Sequence, residues 1–445
     1  MTARPIAVVG ASAAGLAAAE ALRRFGWRGP LTLIGDEHHL PYDRPPLSKQ
    51  LLHGAWEPEK LLLRTADQLD PLDLDLRLGT RATGLDVATR TLTLDGGVGV
   101  PPREQGREWG TLGCAGVIIA TGVAARSLPG AEGIAGVHTL RTLDDALTLR
   151  GLLAGGGRRL VIVGNGVLGC EAAAVARELG HDVTLVGIEK TPMAAAVGAE
   201  VGALLAEEHR ARGVQLRTGA VDGFETAPAD PAGTGDGQVT AVRLSDGSRL
   251  PADLVLLAIG SRPAVEWLAD PALDTTDGLR CDAYCAAAPG IYAAGDVARW
   301  DHPHHGRPLR FEHRMNATEQ GIAAARNLLA ELAAEAPAAD GEAIPAQERR
   351  PFAPVPYFWS DQYDLKIQAY GLTAGADRIE TTVLDRAQRR AVALYGRDGS
   401  AVGVLAAGLP PRRLRALRAV VATPLAWDEA RERLRAALAS GQDTP

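Results

Sequence analysis

Two glycine-rich runs are the residues best suited to do chemistry. Gly164-Asn165-Gly166-Val167-Leu168-Gly169 is a full match to the dinucleotide-binding pattern. Gly10-Ala11-Ser12-Ala13-Ala14-Gly15 keeps the outer glycines, Gly10 and Gly15, and puts the small residue Ser12 at the middle one. Such a loop needs small residues for a tight turn, for close approach to a pyrophosphate, and for packing of the following helix on the preceding strand. The helix start then offers free N–H groups and a positive dipole end to phosphates. An acidic residue about 20 positions further on should hold ribose hydroxyls, and Asp36 lies in that place after the first loop. After the second, position 187 should carry the acid, but it is Gly187, followed by Glu189 and Lys190. Glu189 would bond a ribose in a reshaped turn, whereas Gly187 with Lys190 would tolerate a 2′-phosphate. The balance favours NADH and leaves NADPH open.

The elements that must position these loops are legible beside them. Ile6–Val9 is an apolar run suited to a buried parallel strand, Gly15 to Phe25 reads as a helix, and Leu31–Ile34 as the next strand. The pattern recurs as Leu160–Val163, Leu168–Leu179 and Val183–Val186. Two such units imply two nucleotide sites in one chain. Val117–Ala120, Leu254–Ile259 and Ile291–Ala294 are further buried-strand candidates. Gly96–Gly110 and Pro228–Gly237 read as surface inserts. An alanine-rich helix from Ala323 runs into a linker at Ala333–Ala346. From about Pro351 the alternating runs Thr381–Leu384, Ala391–Leu394 and Val402–Leu405, with an Arg-rich helical end, predict an α+β domain. The fold class expected is α/β, with two Rossmann-like dinucleotide-binding domains and a C-terminal α+β domain.

Bulk properties narrow the function. A chain of 445 residues is too long for one core. A formal net charge of −7 argues against general nucleic-acid binding. No apolar run approaches the ~20 residues that span a bilayer, and the N-terminus enters a strand at once, which leaves no room for a signal peptide. A soluble, cytoplasmic protein without membrane contact is expected. Cys114, Cys170, Cys281 and Cys285 form no CxxC pair and have no nearby histidine cluster, so no metal site is expected and all four read as buried fillers.

Further motifs make the chain resemble the FAD-dependent ferredoxin reductases of the putidaredoxin reductase and biphenyl dioxygenase reductase type. They are Gly35-Asp36-Glu37, the highly specific run Pro41-Tyr42-Asp43-Arg44-Pro45-Pro46-Leu47-Ser48-Lys49, Ile119-Ala120-Thr121-Gly122, Leu140-Arg141-Thr142, Gly295-Asp296-Val297, Glu319-Gln320-Gly321 and Tyr357-Phe358-Trp359-Ser360-Asp361-Gln362-Tyr363-Asp364. The resemblance covers nearly the whole chain. It implies an FAD domain (1–122 and 248–330) split around an NAD(P) domain (123–247), with a C-terminal domain (331–445) closing over the flavin.

It also implies roles. Ala14 and Gly15 cradle the FAD pyrophosphate, Asp36 holds the adenine ribose, and Ala82 lies along the adenosine. Arg44 and Arg126 are FAD contacts, and Asp296 bonds the ribityl chain, with the helix after it aimed at the flavin. Lys49 takes the place of the family lysine near flavin N5 and Glu171 that of its glutamate partner; a cation there stabilises electron density arriving with a hydride. One departure stands out: Glu312-His313-Arg314 replaces the usual Glu-His-Trp, so Arg314 occupies an aromatic position near the flavin. A contact through backbone leaves FAD binding intact, whereas a contact through the ring predicts a more polar pocket with a raised potential.

Disulfide-reducing relatives of such folds need a cysteine pair early in the first domain, and the first cysteine here is Cys114. Electrons must therefore leave outwards. A [2Fe–2S] ferredoxin is the implied acceptor, serving a P450 or a dioxygenase. Between residues 386 and 435, 11 arginines face four acidic residues, a local excess suited to steering an acidic partner. The rival readings are an NAD(P)H oxidase or quinone-type reductase and an NADH-sensing flavoprotein whose reduction acts as a switch.

Overall fold

A computed structural model describes residues 4–96, 110–227, 237–335 and 347–439. Most of both expected inserts, and residues 336–346 of the expected linker, lie outside the described residues. The chain groups into two units, one of residues 1–43, 61–124 and 262–354, the other of residues 44–60, 125–261 and 355–445.

In the first unit the Ile6–Val9 strand is one of the two central strands of a six-stranded sheet. Its order is Ala286–Ala288, Ile291–Ala293, Gly116–Ile119, Ile6–Val9, Leu31–Ile34, Asp75–Arg77, parallel except for the first pair. The four apolar residues of Ile6–Val9 are buried, as a strand covered on both faces requires. The helix that follows, Ala13–Arg24, is alanine-rich because a long neighbour lies on it. Helix Arg314–Glu335 approaches so closely that a Cβ at Gly321 would sit 2.3 Å from the Ala14 carbonyl oxygen. This helix starts nine residues before the expected Ala323, and its early turns bring Asn316, Ala317 and Gln320 into the core.

The second unit repeats the plan. Its five-stranded parallel sheet runs Gln215–Thr218, Asp182–Gly187, Arg159–Val163, Leu254–Leu257, Val137–Thr139, and helix Val167–Glu178 follows its central strand. The expected strands and helix fall within one or two residues of these. The same unit holds an antiparallel sheet, in the order Tyr357–Gln362, Leu365–Gly371, Ser400–Ala407, Arg390–Arg397, Arg378–Asp385. The Arg-rich end forms two helices, Pro411–Val421 and Trp427–Ala439, whose Leu414, Leu417, Val420, Trp427 and Leu434 pack on Val392, Leu394, Val404 and Ala406. Arg418, Arg433 and Arg435 lie exposed on the outer faces because the inner stripe is taken by these apolar groups.

Candidate functional site

The two glycine loops are built alike. Gly10 adopts φ +120° and Gly164 φ +109°; a Cβ on either would sit 2.1 Å from a carbonyl oxygen, that of Ala120 or of Ala258. A Cβ on Gly15 or Gly169 would sit 1.9 Å from the carbonyl oxygen of Gly10 or Gly164. Only glycine fits these four places. The middle position is different. Gly166 is an extended N-cap with open space around it, and its counterpart Ser12 is an extended N-cap too, so a side chain is tolerated there.

Register shows where the acid after each loop belongs. Gly10 N–H donates to Ile34 O and Gly164 N–H donates to Val186 O, both at 2.7 Å. Ile34 therefore corresponds to Val186, Gly35 to Gly187, and exposed Asp36 to Ile188, which is 76% exposed. The expectation that the acid belongs at 187 is corrected: Asp36 stands two residues beyond Ile34, so its counterpart stands two beyond Val186, at 188, and the residue there is apolar. Nor is there room at 187, where a Cβ would meet the Asn165 side chain at 2.0 Å. Asn165 instead donates from Nδ2 to the Glu189 carbonyl at 2.8 Å, and exposed Glu189 and Lys190 follow.

In the first unit Asp36 stands at the surface 3.7 Å from Arg81. Thr80 N–H donates to Gly35 O at 2.8 Å, which lays the strand carrying buried Ala82 beside this corner. Gly295, at φ +78°, approaches Ala14 so closely that its Cβ would lie 3.0 Å from the Ala14 Cβ. Gln320 Oε1 accepts from Gly295 N–H at 3.0 Å and from Asn316 Nδ2 at 3.3 Å, while the buried Asn316 Oδ1 has no hydrogen-bond partner. A small-residue cradle at a helix start with an unanswered acceptor beside it fits an FAD pyrophosphate and sugar. Asp296 sits in a single 3-10 turn, Gly295–Val297, followed by strand Ala298–His302 rather than by a helix. The helix expected after Asp296 is Arg314–Glu335, which begins beyond a β-hairpin.

Arg314 opens that helix and contacts the Asp43 carboxylate and the Thr318 hydroxyl. Its charge is compensated by Asp43 in the Pro41–Asp43 run. Burial pushes the neighbouring His313 down to about 4.

In the second unit Lys49 and Glu171 meet. Pro45 and Pro46 fix a 3-10 turn, Pro45–Ser48, with Lys49 at its end. Lys49 Nζ donates to Glu171 Oε2 at 2.8 Å and to Pro45 O at 3.2 Å. Glu171, on helix Val167–Glu178, is 3% exposed and also accepts from Ser48 Oγ at 2.6 Å and Ser360 Oγ at 2.8 Å. Three donors surround one buried carboxylate, which is how a buried charge is sustained. Arg44 donates from Nη1 to Arg141 O at 2.8 Å. Arg126 bonds the 260–261 segment, through its N–H to Gly260 O at 3.0 Å and its Nε to Ser261 O at 2.7 Å.

All four cysteines are free and buried, and burial pushes Cys114 and Cys285 up to about 12. None is a thiolate donor near neutral pH. Part of the arginine excess of residues 386–435 is compensated in place: Arg386 and Arg389 pair with Glu207 and Glu208, Arg431 and Arg435 with Glu380, and Arg433 with Glu429. Among the described residues no helix is long and apolar enough to cross a membrane.

Two parallel sheets, each with a matching glycine loop, define an oxidoreductase of the two-dinucleotide kind. Residues 4–321 match the pyridine nucleotide-disulphide oxidoreductase family and residues 357–433 the reductase C-terminal family. The chain is 38% identical over 378 residues to the ferredoxin–NAD(+) reductase component of the p-cumate 2,3-dioxygenase system of Pseudomonas putida, covering 84% of this chain and 83% of that protein. Putidaredoxin reductase of the same organism is 34% identical over 380 residues, covering 84% and 82%. The crystal structure of the covalent putidaredoxin reductase–putidaredoxin complex superposes with a TM-score of 0.84 at 29% identity, covering 100% of both chains. The chain belongs to the pyridine nucleotide-disulphide oxidoreductase family, among its ferredoxin–NAD(+) reductases.

Proposed function

We propose that this protein takes a hydride from NADH and delivers single electrons to a [2Fe–2S] ferredoxin that serves a P450 or a dioxygenase. The observation that carries the reading is the pair of complete nucleotide loops in a chain whose only cysteines are buried thiols. An oxidoreductase so built has no dithiol to receive electrons and must pass them outwards, to a partner or a small acceptor. One NADH supplies two electrons and releases one proton, so two ferredoxins are reduced per turnover.

FAD, when bound, supplies the exchange between a two-electron donor and a one-electron acceptor. Gly10, Ser12, Ala14 and Gly15 would hold its pyrophosphate, Asp36 its adenine ribose, Ala82 its adenosine and Asp296 its ribityl chain. Arg44, Arg126 and Arg314 belong to the same reading as flanking contacts. Gly164, Gly166 and Gly169 would seat the nicotinamide dinucleotide, with Glu189 near its ribose. Lys49 would present its ammonium where negative charge develops, and Glu171 would keep that ammonium in place. The domain boundaries expected from the sequence, and a cytoplasmic location where NADH is at hand, are parts of this proposal.

NADH is the proposed reductant, with weak discrimination against NADPH, because Ile188 lacks the carboxylate that would repel a 2′-phosphate. Anaerobic titration of the purified, FAD-loaded protein tests the whole reading. NADH should bleach the flavin spectrum, and an added [2Fe–2S] ferredoxin should restore it. A protein that retains no flavin, or whose reduced flavin is not reoxidised by any ferredoxin, would overturn the proposal.

A further inference from the structure

Glu171 is the end of a longer chain of buried side chains. Ser360, which donates to it, accepts from Gln362 Nε2 at 3.1 Å. Gln362 Oε1 meets His209 Nε2 at 3.0 Å, and His209 Nδ1 meets the Tyr363 hydroxyl at 3.0 Å. Ser360, Gln362 and His209 are 0%, 1% and 0% exposed. An amide oxygen only accepts, so His209 donates from Nε2, and its Nδ1 must accept from Tyr363. Burial holds His209 at about 4, so the neutral ring this pattern requires is present at working pH. Every donor in the series therefore points towards the Glu171 carboxylate.

The far end is anchored with comparable care. Tyr363 opens a two-residue turn between strands Tyr357–Gln362 and Leu365–Gly371 with φ +56°, a conformation that an aromatic residue adopts only when its surroundings dictate it. Here the hydroxyl is bonded to His209, and the Arg212 guanidinium lies 4.7 Å over the ring while pairing with Asp364 at 2.6 Å. The turn thus bridges helix Ala199–Ala211 and the Glu171 helix. Polar groups buried in series polarise one another, and removing an inner member leaves its neighbours unanswered.

We propose that Ser360, Gln362 and His209 are positioning residues that hold the Glu171 carboxylate, and through it the Lys49 ammonium, in the geometry that hydride transfer requires. The inference rests on the function proposed above. It gives the C-terminal segment a part in the reductive step in addition to any part in meeting ferredoxin.

The test uses the full-length, FAD-loaded protein and rapid mixing with NADH under anaerobic conditions, reading the limiting rate of flavin bleaching and the NADH concentration at half-saturation separately. Wild-type protein must bleach first; failure at that point sinks the underlying reading before any variant is compared. Ser360→Ala should lower the limiting rate about tenfold with half-saturation unchanged, and Ser360→Thr, which keeps the hydroxyl, should recover most of it. If Ser360→Ala loses its flavin, Gln362→Met, of similar volume and one bond further from Glu171, carries the same test with a smaller loss expected. Limiting rates equal to wild type in the flavin-retaining variants, or a change in half-saturation alone, would overturn the inference.

Discussion

Replacing Glu171 by alanine is the most direct probe of the buried pair. The substitution removes the acceptor for the Lys49 ammonium at 2.8 Å and for the Ser48 and Ser360 hydroxyls at 2.6 and 2.8 Å. Breaking a buried pair by deleting one partner costs about 3–5 kcal/mol, because the other charge stays behind unanswered. Lys49 is 11% exposed and its remaining protein acceptor is Pro45 O at 3.2 Å, so the ammonium is expected to leave its position to find water. A displacement of about 1 Å in a catalytic group costs on the order of a hundredfold in rate, or about 2.7 kcal/mol of barrier. The limiting rate of flavin bleaching by NADH, followed by rapid mixing, should fall by about that factor.

A second variant separates stability from chemistry. Replacing both members, as in Lys49→Met with Glu171→Leu, fills the space with apolar groups, and such exchanges are often neutral or stabilising. The double variant should melt close to wild type while Glu171→Ala melts lower. Its bleaching rate should stay low, since no cation is present to meet the arriving charge. The reasoning would be refuted by a Glu171→Ala protein within about threefold of the wild-type rate, or by a double variant that regains it.

Other outcomes follow from the same structure. Ile188→Asp restores a carboxylate at the position equivalent to Asp36 and should raise the NADH-over-NADPH ratio of kcat/KM by about ten- to a hundredfold, mainly by weakening NADPH; an unchanged ratio would exclude 188 as the ribose corner. His209 binds its proton less readily folded, at about 4, than unfolded, at about 6.5, so its contribution is present above pH 6.5 and is lost as pH falls towards 4. That loss is about 2 kcal/mol at pH 5, and His209→Gln should show a shallower fall in melting temperature between pH 7 and 5 than wild type. Arg314→Gln should lower the flavin potential by leaving Asp43 uncompensated, whereas adding Asp43→Asn should return it to within about 30 mV of wild type, measured by redox titration. Gly164→Val should abolish NADH binding in calorimetry while leaving the flavin in place, because its side chain would run into the Ala258 carbonyl.

The parts of this protein that sequence makes legible are those decided by neighbours along the chain. Four-residue β-branched-rich apolar runs such as Ile6–Val9, closed by a glycine, suit strands buried on both faces, and the outer glycines announce the turns their contacts demand. What sequence hides depends on partners far away. Arg314 draws its counter-ion from Asp43, 271 residues earlier, and Ser360 finds Glu171 across 189. His209 looks like any polar residue on an alanine-rich helix until Gln362 and Tyr363 close around it. Position 188 was missed for another reason. Counting one residue past the apolar run leads to 187, whereas the register aligns Val186 with Ile34 and sets the corner two residues past it, at 188.

That register explains why two loops of one design can serve different ends. A prosthetic group must stay through every turnover, whereas a coenzyme must leave after each one. In the proposed reading the first loop would meet the demand for retention: Ala14 is buried against Gly295 and Gly321, Asn316 adds a buried acceptor, and Asp36 would supply an acid for the ribose. The second loop keeps the pyrophosphate seat and little else. Gly166 is exposed with open space about it, Leu168 is only half-buried where Ala14 is covered, and an apolar Ile188 replaces the ribose acid. Each missing contact shortens the stay of the bound dinucleotide, since affinity differences between related sites appear mainly in the rate of departure. In this reading weak coenzyme discrimination would come with fast release, and Ile188 would contribute to both.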